Sequence, residues 1–383
     1  MPNNFGDGFN ITIKINGNEI KNNNSYVITG FMVDSGESNE ARVCEVHMET
    51  PGYECPNDNE MKINDDFAQI KVGQELVIEV ASTFTLGEPA NSSIVFTGFV
   101  ERVEFYIDNS GRVRCILHGM DAKMWMMANR LNEERGQDNN YEQIIKSVIS
   151  NYSSQAQVGK IALLKDVQIK NKFYQVNQSD YEFLCMLADL TGSLFYLSAD
   201  GKINFCAPSN LGSPSNTVNF KDGVVKIIRL SASVWGTVNT VQVTTLDPQD
   251  PSKTIVATSN TVQSIGSGKE PKQVVPQNCS SPSNGTLFMK ITDNSIETKE
   301  ETQARADAEY NRRNLKFVEL EVLVKGNPKL DVGQGVTLNG FGTPFNNNYI
   351  IVRLEHSWGT FSDDKVYVTK LYLVANKFTP QGR

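Results

Sequence analysis

Two stretches of this chain repeat the same three segments in the same order. Each has a Val-Gly-Gln turn leading into an alternating strand, then a strand with the pattern Arg-apolar-Glu, then a charged turn and a further strand. These segments occupy residues 70–78, 99–104 and 112–117 in the first copy, and residues 330–338, 350–355 and 365–371 in the second. A unit present only twice does not form a solenoid, which requires several stacked repeats. The sequence therefore predicts one small β-unit duplicated within one polypeptide.

The composition excludes several classes of protein. The length of 383 residues and the hydrophobic content of 39% are typical of two or three globular domains. A formal net charge of -8 disfavours sequence-independent binding of nucleic acid, because such binding needs a basic surface facing the phosphates. No apolar stretch approaches the roughly 20 residues of a membrane-spanning helix, and the N-terminus lacks the basic start and apolar core of a signal peptide. We therefore expect no specific nucleic-acid binding, no membrane insertion and no signal peptide.

The hydrophobic periodicity divides the chain into three regions. Apolar and polar residues alternate in residues 1–120, which predicts an antiparallel sheet curling into a first β-barrel. Helical spacing then predicts an α+β middle domain over residues 121–222. We predict a second β-barrel over residues 223–383, with a long insertion at 247–294 and a surface helix at 298–315. The predicted fold is mainly β (α+β), with two similar antiparallel β-barrels from an internal duplication.

Spacing and capping residues predict four helices. They cover residues 121–131, 141–152, 179–192 and 298–315. The Ser179 side chain can accept a hydrogen bond from the first turn while Glu182 reaches back, which is a capping box. Gly192 ends this third helix because glycine tolerates positive φ. Thr298 and Glu301 form the same pattern before the fourth helix, whose apolar residues are mostly alanine, so we expect it to lie thinly on the second barrel.

The residues best suited to chemistry are scattered. His47, His118 and His356 lie in or at the ends of predicted strands with no second histidine beside them, which favours structural or surface roles. Four cysteines sit among apolar neighbours and are predicted to be buried thiols, namely Cys44, Cys115, Cys185 and Cys206. We predict no catalytic, cofactor-binding or metal-binding residues. A carboxylate pair for glycoside cleavage leaves no characteristic spacing, so this alternative stays open.

Two further patterns each have two interpretations. Methionines surround Trp125 and form either an adaptable docking surface or core filler beneath a helix. They are Met120, Met124, Met126 and Met127. Arg102 and Glu104 in the first copy of the repeat match Arg353 and Glu355 in the second. These pairs form either bridges between the two barrels or solvated strand residues.

The middle of the chain carries an ordered motif. A glutamine precedes Ser-Asp, an aromatic-rich helix, a glycine, an apolar strand and an Asp-Gly hairpin. The residues are Gln175, Ser179, Asp180, Phe183, Leu184, Leu187, Ala188, Gly192, Asp200 and Gly201. Together with the closing strands at residues 326–334, 349–358 and 368–374, this order resembles the late control protein D family of contractile phage tails. That family includes the N-terminal module of the valine-glycine repeat proteins of type VI secretion.

The resemblance implies a structural baseplate hub of a contractile tail or injection machine, made in the bacterial cytoplasm and built into the assembled particle. It implies a homotrimer in which two tube domains per chain adapt a sixfold tail tube to a threefold central spike. The implied partners are the tail tube protein, the central spike protein, other baseplate proteins and, as a further candidate, the tape measure protein. Larger family members continue into a spike or a cell-wall hydrolase, which we expect to be separate proteins here. The alternative is a β-rich tail-associated protein that binds or cleaves host-surface glycans.

Overall fold

The protein is mostly β, with large antiparallel sheets, as the alternating pattern predicts. The computed structural model describes residues 9–20, 26–36, 39–49, 70–82, 92–107, 113–136, 138–211, 214–274, 287–362 and 365–380. Within these ranges, no helix is long and apolar enough to cross a bilayer. The predicted fold class is confirmed.

The first part of the chain forms strands that bury alternate side chains. The strands are β1 (Phe9–Ile15), β2 (Asn18–Ile20), β3 (Val27–Asp34), β4 (Val43–Glu49), β5 (Glu75–Ser82), β6 (Ser92–Ile107) and β7 (Val113–Met120). Asn16 and Gly17 both have positive φ and make the turn from β1 to β2. The inward side chains build one apolar core around residues such as Phe31, Phe96 and Leu117.

The middle part combines helices with short strands. Its elements are α1 (Lys123–Met127), β8 (Arg130–Arg135), α2 (Tyr141–Ser150), β9 (Gln157–Ala162), β10 (Phe173–Ser179), α3 (Asp180–Thr191), β11 (Leu194–Leu197), β12 (Lys202–Cys206), a 3-10 turn at Pro208–Asn210, β13 (Asn216–Asn219) and α4 (Phe220–Gly223). The capping box of Ser179 and Glu182 is confirmed, and Gly192 ends α3 in the left-handed conformation. The first predicted helix was too long, because Arg130 already begins β8, which pairs with β10.

The last part returns to strands. It contains β14 (Val224–Ala232), β15 (Thr240–Leu246), β16 (Thr254–Ser259), α5 (Pro271–Val274), β17 (Phe288–Thr292), α6 (Lys299–Leu315), β18 (Val318–Lys325), β19 (Gly335–Asn339), β20 (Asn348–Gly359) and β21 (Val368–Ala375). Thr298 caps α6 through the predicted box with Glu301. A second apolar core lies beneath β18, β20 and β21.

The described parts of the insertion predicted at residues 247–294 contain regular strands that its Ser- and Pro-rich composition did not predict. β15, β16 and β17 form a separate three-stranded sheet. Helix α6 packs against this sheet, where Ala306 and Tyr310 join Val241 and Val243 in a small core. The prediction that this helix lies thinly on the second barrel is therefore wrong. Small alanine side chains allow the helix to approach the sheet closely.

The two repeat copies share one continuous sheet. Its order is β14-β18-β21-β20-β3-β4-β7-β6-β5-β1-β2, with β19 pairing with β20 and β13 pairing with β19. The run β3-β4-β7-β6-β5 corresponds strand for strand to the run β14-β18-β21-β20-β19. The predicted units are thus similar, and pairing of β20 with β3 joins them into one sheet. The domain boundaries after residues 120 and 222 stay predictions.

Candidate assembly interface

The two Val-Gly-Gln turns have the same geometry. Gly73 and Gly333 have φ values of 87° and 81°, which glycine adopts without steric cost. Gly73 donates its N–H to the carbonyl of Val100, and Gly333 donates to that of Ile351, both at 2.8 Å. In return, the N–H groups of Val100 and Ile351 donate to the glutamine carbonyls of their own turns, at 2.8 and 3.0 Å. The two turns are therefore equivalent, as the repeat predicts.

The Arg-apolar-Glu strands carry a bulge at the same place. Pairing of β6 with β7 shifts register between Val100 and Arg102. Pairing of β20 with β21 shifts register between Ile351 and Arg353. A bulge adds one residue to one strand and redirects the side chains beside it. The irregularity therefore belongs to the duplicated unit, and the two arginines occupy corresponding positions.

The two units meet at a charged junction between β20 and β3. Arg353 donates from Nε to Oδ1 of Asp34 at 3.0 Å and from Nη2 to Oδ2 at 2.5 Å, which is a bidentate pair. Glu355 lies opposite Asp34 in the register, and burial raises the pKa of Glu355. Arg102 pairs instead with Glu104 on its own strand. The bridge between the units is therefore confirmed for Arg353 but not for Arg102.

The backbones approach closely along this junction. Ser35 donates its N–H to the Leu354 carbonyl at 3.0 Å, and its Oγ accepts the Leu354 N–H at 2.8 Å. At the other end, Gly359 has a φ of 67°, and a Cβ there would lie 2.1 Å from the carbonyl oxygen of Thr29. The junction therefore requires glycine at that position.

A buried arginine connects three parts of the chain beside this junction. Arg42 donates to the carbonyl oxygens of Val95 in β6, at 3.0 Å, and Leu197 in β11, at 3.2 Å. It also forms an ion pair with Asp331, just before the second Val-Gly-Gln turn. The same carboxylate accepts the N–H of Ala199 at 2.6 Å. Both repeat units and the middle region are thereby tied together.

A second buried pair extends this polar connection. Lys123 donates from Nζ to the carbonyl oxygens of Glu40, at 2.6 Å, and Phe195, at 3.0 Å. The carboxylate of Asp121 accepts the N–H groups of Arg42 and Lys123 at 2.8 and 2.9 Å. Burial lowers the pKa of Lys123 to about 8 and raises the pKa of Asp121. Both groups hold the loop after β3 against the middle region, and their burial in these contacts, rather than a substrate site, accounts for the direction of both pKa shifts.

The structure brings together two histidines that are far apart in the sequence. His47 Nε2 lies 2.6 Å from one Glu45 oxygen, and His118 Nδ1 lies 3.7 Å from the other. The second ring nitrogen of His118 is 3.7 Å from Glu104. These side chains form a half-buried polar row across β4, β7 and β6. In the described ranges, no group of three or more His, Cys, Asp or Glu side chains could hold a metal ion.

The remaining candidate residues lie mainly in the core. His356 is buried, with Nδ1 at 2.9 Å from the Tyr367 hydroxyl. Met126 is fully buried, and the rest of its cluster is half-buried, which favours core filler over a docking surface. The predicted cysteine positions are confirmed for Cys44, Cys115 and Cys206, which are buried, while Cys185 is half-buried.

Sequence reasoning missed Asp34 and Arg42, although both lie at the contacts between units. Neither residue falls inside the repeated segments, so the repeat carried no signal for them. A signal existed at Asp331, because the first copy has Lys71 at the equivalent position before its Val-Gly-Gln turn. This charge difference distinguishes the second Val-Gly-Gln turn, where Asp331 pairs with Arg42, from the first.

A family model described as the Alg8 N-terminal domain matches residues 7–359 of this sequence. The chain belongs to the Alg8 N-terminal domain family. No curated protein matches this sequence.

Solved structures with a similar fold include two tail proteins. The 43 kDa tail protein of prophage MuSo2 from Shewanella oneidensis is 14% identical to this Alg8 N-terminal domain chain, with a TM-score of 0.65 over 96% of this chain and 98% of that one. The tail protein from Neisseria meningitidis MC58 is 11% identical, with a TM-score of 0.65 over 96% and 97% of the two chains. At these identities the likeness is one of fold.

A third similar structure is the E. coli c3393 protein, at 10% identity and a TM-score of 0.53. The match covers 97% of this chain and 79% of that one. That protein is described as a component of the type VI secretion system with structural similarity to the T4 bacteriophage tail proteins gp27 and gp5. The β-rich fold of the Alg8 N-terminal domain chain is therefore shared over almost its whole length.

Proposed function

We propose that this chain is a structural baseplate hub of a phage tail or tail-like injection machine. In this role it forms a homotrimer around an axial channel and joins a sixfold tail tube to a threefold central spike. It would be a member of the late control protein D family, with the tube protein, the spike protein and other baseplate proteins as partners.

The observation that carries the proposal is the repetition of one detailed unit within one sheet. The glycine turn, the bulge and the order of five strands occur twice, side by side. Closed cyclic symmetry gives every copy of a chain the same contacts, so three chains with two units each present six similar units. A threefold assembly of this kind matches a sixfold partner on one side and a threefold partner on the other.

Two further observations support a structural role. The solved structures with a similar fold include proteins named as tail proteins and as a type VI secretion component. In addition, the buried charged groups of this chain make contacts between its parts. Lys123, Asp121 and Arg42 bind backbone groups of the first unit and the middle region, and Arg42 also pairs with Asp331 of the second unit. Their chemistry is accounted for by holding the subunit together, without a substrate.

Immunogold labelling of purified particles tests this function. An antibody against the chain should label one end of the tail tube, and deletion of its gene should give particles without complete tails. Label along fibres, or normal tails after deletion, would contradict a hub. Incubation of the purified protein with peptidoglycan and surface polysaccharide should release no fragments. Reproducible cleavage that depends on a single Asp or Glu would instead favour the glycan-cleaving alternative.

A further inference from the structure

Strand β14 is the repeat equivalent of β3, but the two strands have different surroundings. β14 pairs with β18, which pairs with β21, just as β3 pairs with β4, which pairs with β7. The second edge of β3 is covered by β20 of the same chain. Among the described strands, β14 has no neighbour on that edge. The repeat therefore contains one junction that is made within the chain, between β3 and β20, and one that is open, at the free edge of β14. We call these the made junction and the open junction.

The other side of the open junction is the end of β6, the repeat equivalent of β20. β5 pairs only with the first part of β6, from Ser92 to Phe99. Beyond the bulge, β7 is the one described strand beside β6. In β20, the corresponding stretch also pairs with β3, from Glu355 to Gly359. The chain thus presents two complementary strand edges, and each matches one half of its own internal junction.

The open edge of β14 is unusually apolar for an exposed strand. Val225, Ile227 and Ile228 are all exposed. Phe31, which occupies the position of Ile227 in the made junction, is completely buried, whereas Ile227 is 37% exposed. A long apolar edge strand is a template for pairing with another chain. The contrast indicates that β14 becomes covered when a second chain is present.

Charge is also complementary across the open junction. Arg229 in β14 occupies the position of Met32 in β3, which lies opposite Ser357 of β20. The equivalent of Ser357 in β6 is Tyr106, whose hydroxyl donates to Glu104 at 2.5 Å. An arginine from another copy would therefore arrive beside Glu104, sharing this carboxylate with Arg102 of the same strand.

A tryptophan follows β14 where the chain turns away from the sheet. Trp235 is 93% exposed. In the made junction, the loop after β3 reaches the second Val-Gly-Gln turn, where Val332 is only 4% exposed and packs with Leu194 and Tyr196 of the middle region. Among the described residues the first turn is less covered: Val72 is 65% exposed, although Trp125 of the middle region lies 3.9 Å from the position of a Cβ on Gly73. The middle region therefore buries the valine of the second turn but leaves that of the first turn exposed.

We propose that β14 of one copy pairs antiparallel with the end of β6 of a second copy, in the register of β3 on β20, and that Trp235 covers Val72 of that second copy. The occupant of the apolar edge is a second copy of this chain, because the internal junction shows that the two strand types fit each other. Tryptophan is one of the side chains enriched among the few residues that dominate binding energy at an interface. This interface rests on the proposed homotrimer and specifies which residues form it.

Cysteine crosslinking in assembled particles tests the register. Tyr106→Cys and Arg229→Cys place two thiols directly opposite each other, where cross-strand Cβ atoms are about 5 Å apart and a disulfide can form. Mild oxidation should give covalent trimers on a denaturing gel. The control pairs Tyr106→Cys with Val225→Cys, which the two bulges of β14 place between two and three ladder positions away, or roughly 7–10 Å along the strand, and should give no trimers. Covalent trimers from the control pair alone would overturn the register.

Substitution of the tryptophan tests the second contact. Trp235→Ser should weaken trimer formation at least about tenfold in concentration, as measured by mass photometry. Phe288→Ser removes an exposed aromatic side chain outside this interface and should leave trimers unchanged. Two results would overturn this interface and leave the hub proposal standing. In the first, the wild-type chain forms trimers but the variant with Tyr106→Cys and Arg229→Cys does not crosslink. In the second, Trp235→Ser leaves trimer formation unchanged. Particles in which the wild-type chain forms no trimers would overturn the hub proposal itself.

Discussion

The buried guanidinium of Arg42 and the largely buried carboxylate of Asp331 form an ion pair that spans the two repeat units. Arg42 precedes β4 in the first unit, and Asp331 precedes β19 in the second. The same arginine also donates to two buried carbonyl oxygens, those of Val95 and Leu197. The geometry of the junction therefore depends on the Arg42 side chain, which these three partners hold in one position.

Replacement of this arginine should strongly destabilise the protein. Arg42→Met removes the cation that pairs with the Asp331 carboxylate and the donor to two carbonyl oxygens, and breaking one side of a buried pair costs about 3–5 kcal/mol. Arg114→Met is the control, because Arg114 forms a surface pair with Glu49 at 2.8 Å that is worth about 0–1 kcal/mol. Urea unfolding measures both free energies. Equal losses in the two variants would show that the buried pair does not hold the units together.

The cap of α3 should contribute a small and defined amount of stability. Ser179→Ala removes the Oγ that accepts the Glu182 N–H at 3.2 Å, and leaves Glu182 without its reciprocal partner. The expected cost is about 1 kcal/mol. Ser147→Ala, at an exposed position inside α2, removes no cap and should be neutral or slightly stabilising. An unchanged melting temperature in Ser179→Ala would mean that α3 does not depend on this cap.

His356 should make the protein sensitive to acid. Burial, together with the charge of Arg42, lowers the pKa of His356 to about 3. The unfolded chain takes up a proton below about pH 6.5, whereas the folded protein stays neutral at this residue. The stability that this histidine provides is therefore complete above pH 6.5 and is lost as the pH falls toward 3, by about 2 kcal/mol at pH 5.

Replacement of His356 isolates this contribution. His356→Gln should lower stability at pH 7, because Tyr367 and Thr369 lose their ring partner. It should also flatten the dependence of the unfolding free energy on pH between 6.5 and 4. Urea unfolding at several pH values measures both effects. Parallel curves for the wild type and the variant would contradict a neutral buried histidine.

The junction ion pair gives a further test of how the two units are joined. Asp34→Asn removes the charge that Arg353 binds with two hydrogen bonds. Because the Arg353 side chain is about one-third exposed, we expect a loss of only about 1 kcal/mol. A double-mutant cycle measures the coupling: Asp34→Asn should lower the free energy of unfolding clearly less in an Arg353→Met background than in the wild type. Equal costs in both backgrounds would mean that the pair contributes no coupling.

Local patterns in the sequence predicted local structure well. The equivalence of Gly73 and Gly333 followed from the repeat, because a Val-Gly-Gln turn needs a glycine with positive φ wherever it occurs. The caps at Ser179 and Thr298 followed from side chains three residues apart, which interact whatever the rest of the chain does. Strand alternation likewise predicted the mainly β fold.

Long-range contacts could not be predicted in this way. Asp34 and Arg353 are separated by 319 positions, and nothing local indicates that they meet. The small sheet of β15, β16 and β17 was missed because β16 and β17 are short and lie among Ser, Pro and Gly residues. Helix α6 was misplaced because alanine gives a weak apolar face, although Ala306 and Ala308 are fully buried.

The symmetry of the hub in the assembled particle tests the central proposal most directly. Electron cryomicroscopy of purified tails should show three copies of this chain, related by threefold symmetry, with six similar β-units around one axial channel. The duplicated unit then explains how a threefold protein contacts a sixfold tube. A ring of six chains with true sixfold symmetry would contradict the account, because the internal repeat would then have no mismatch of symmetry to resolve.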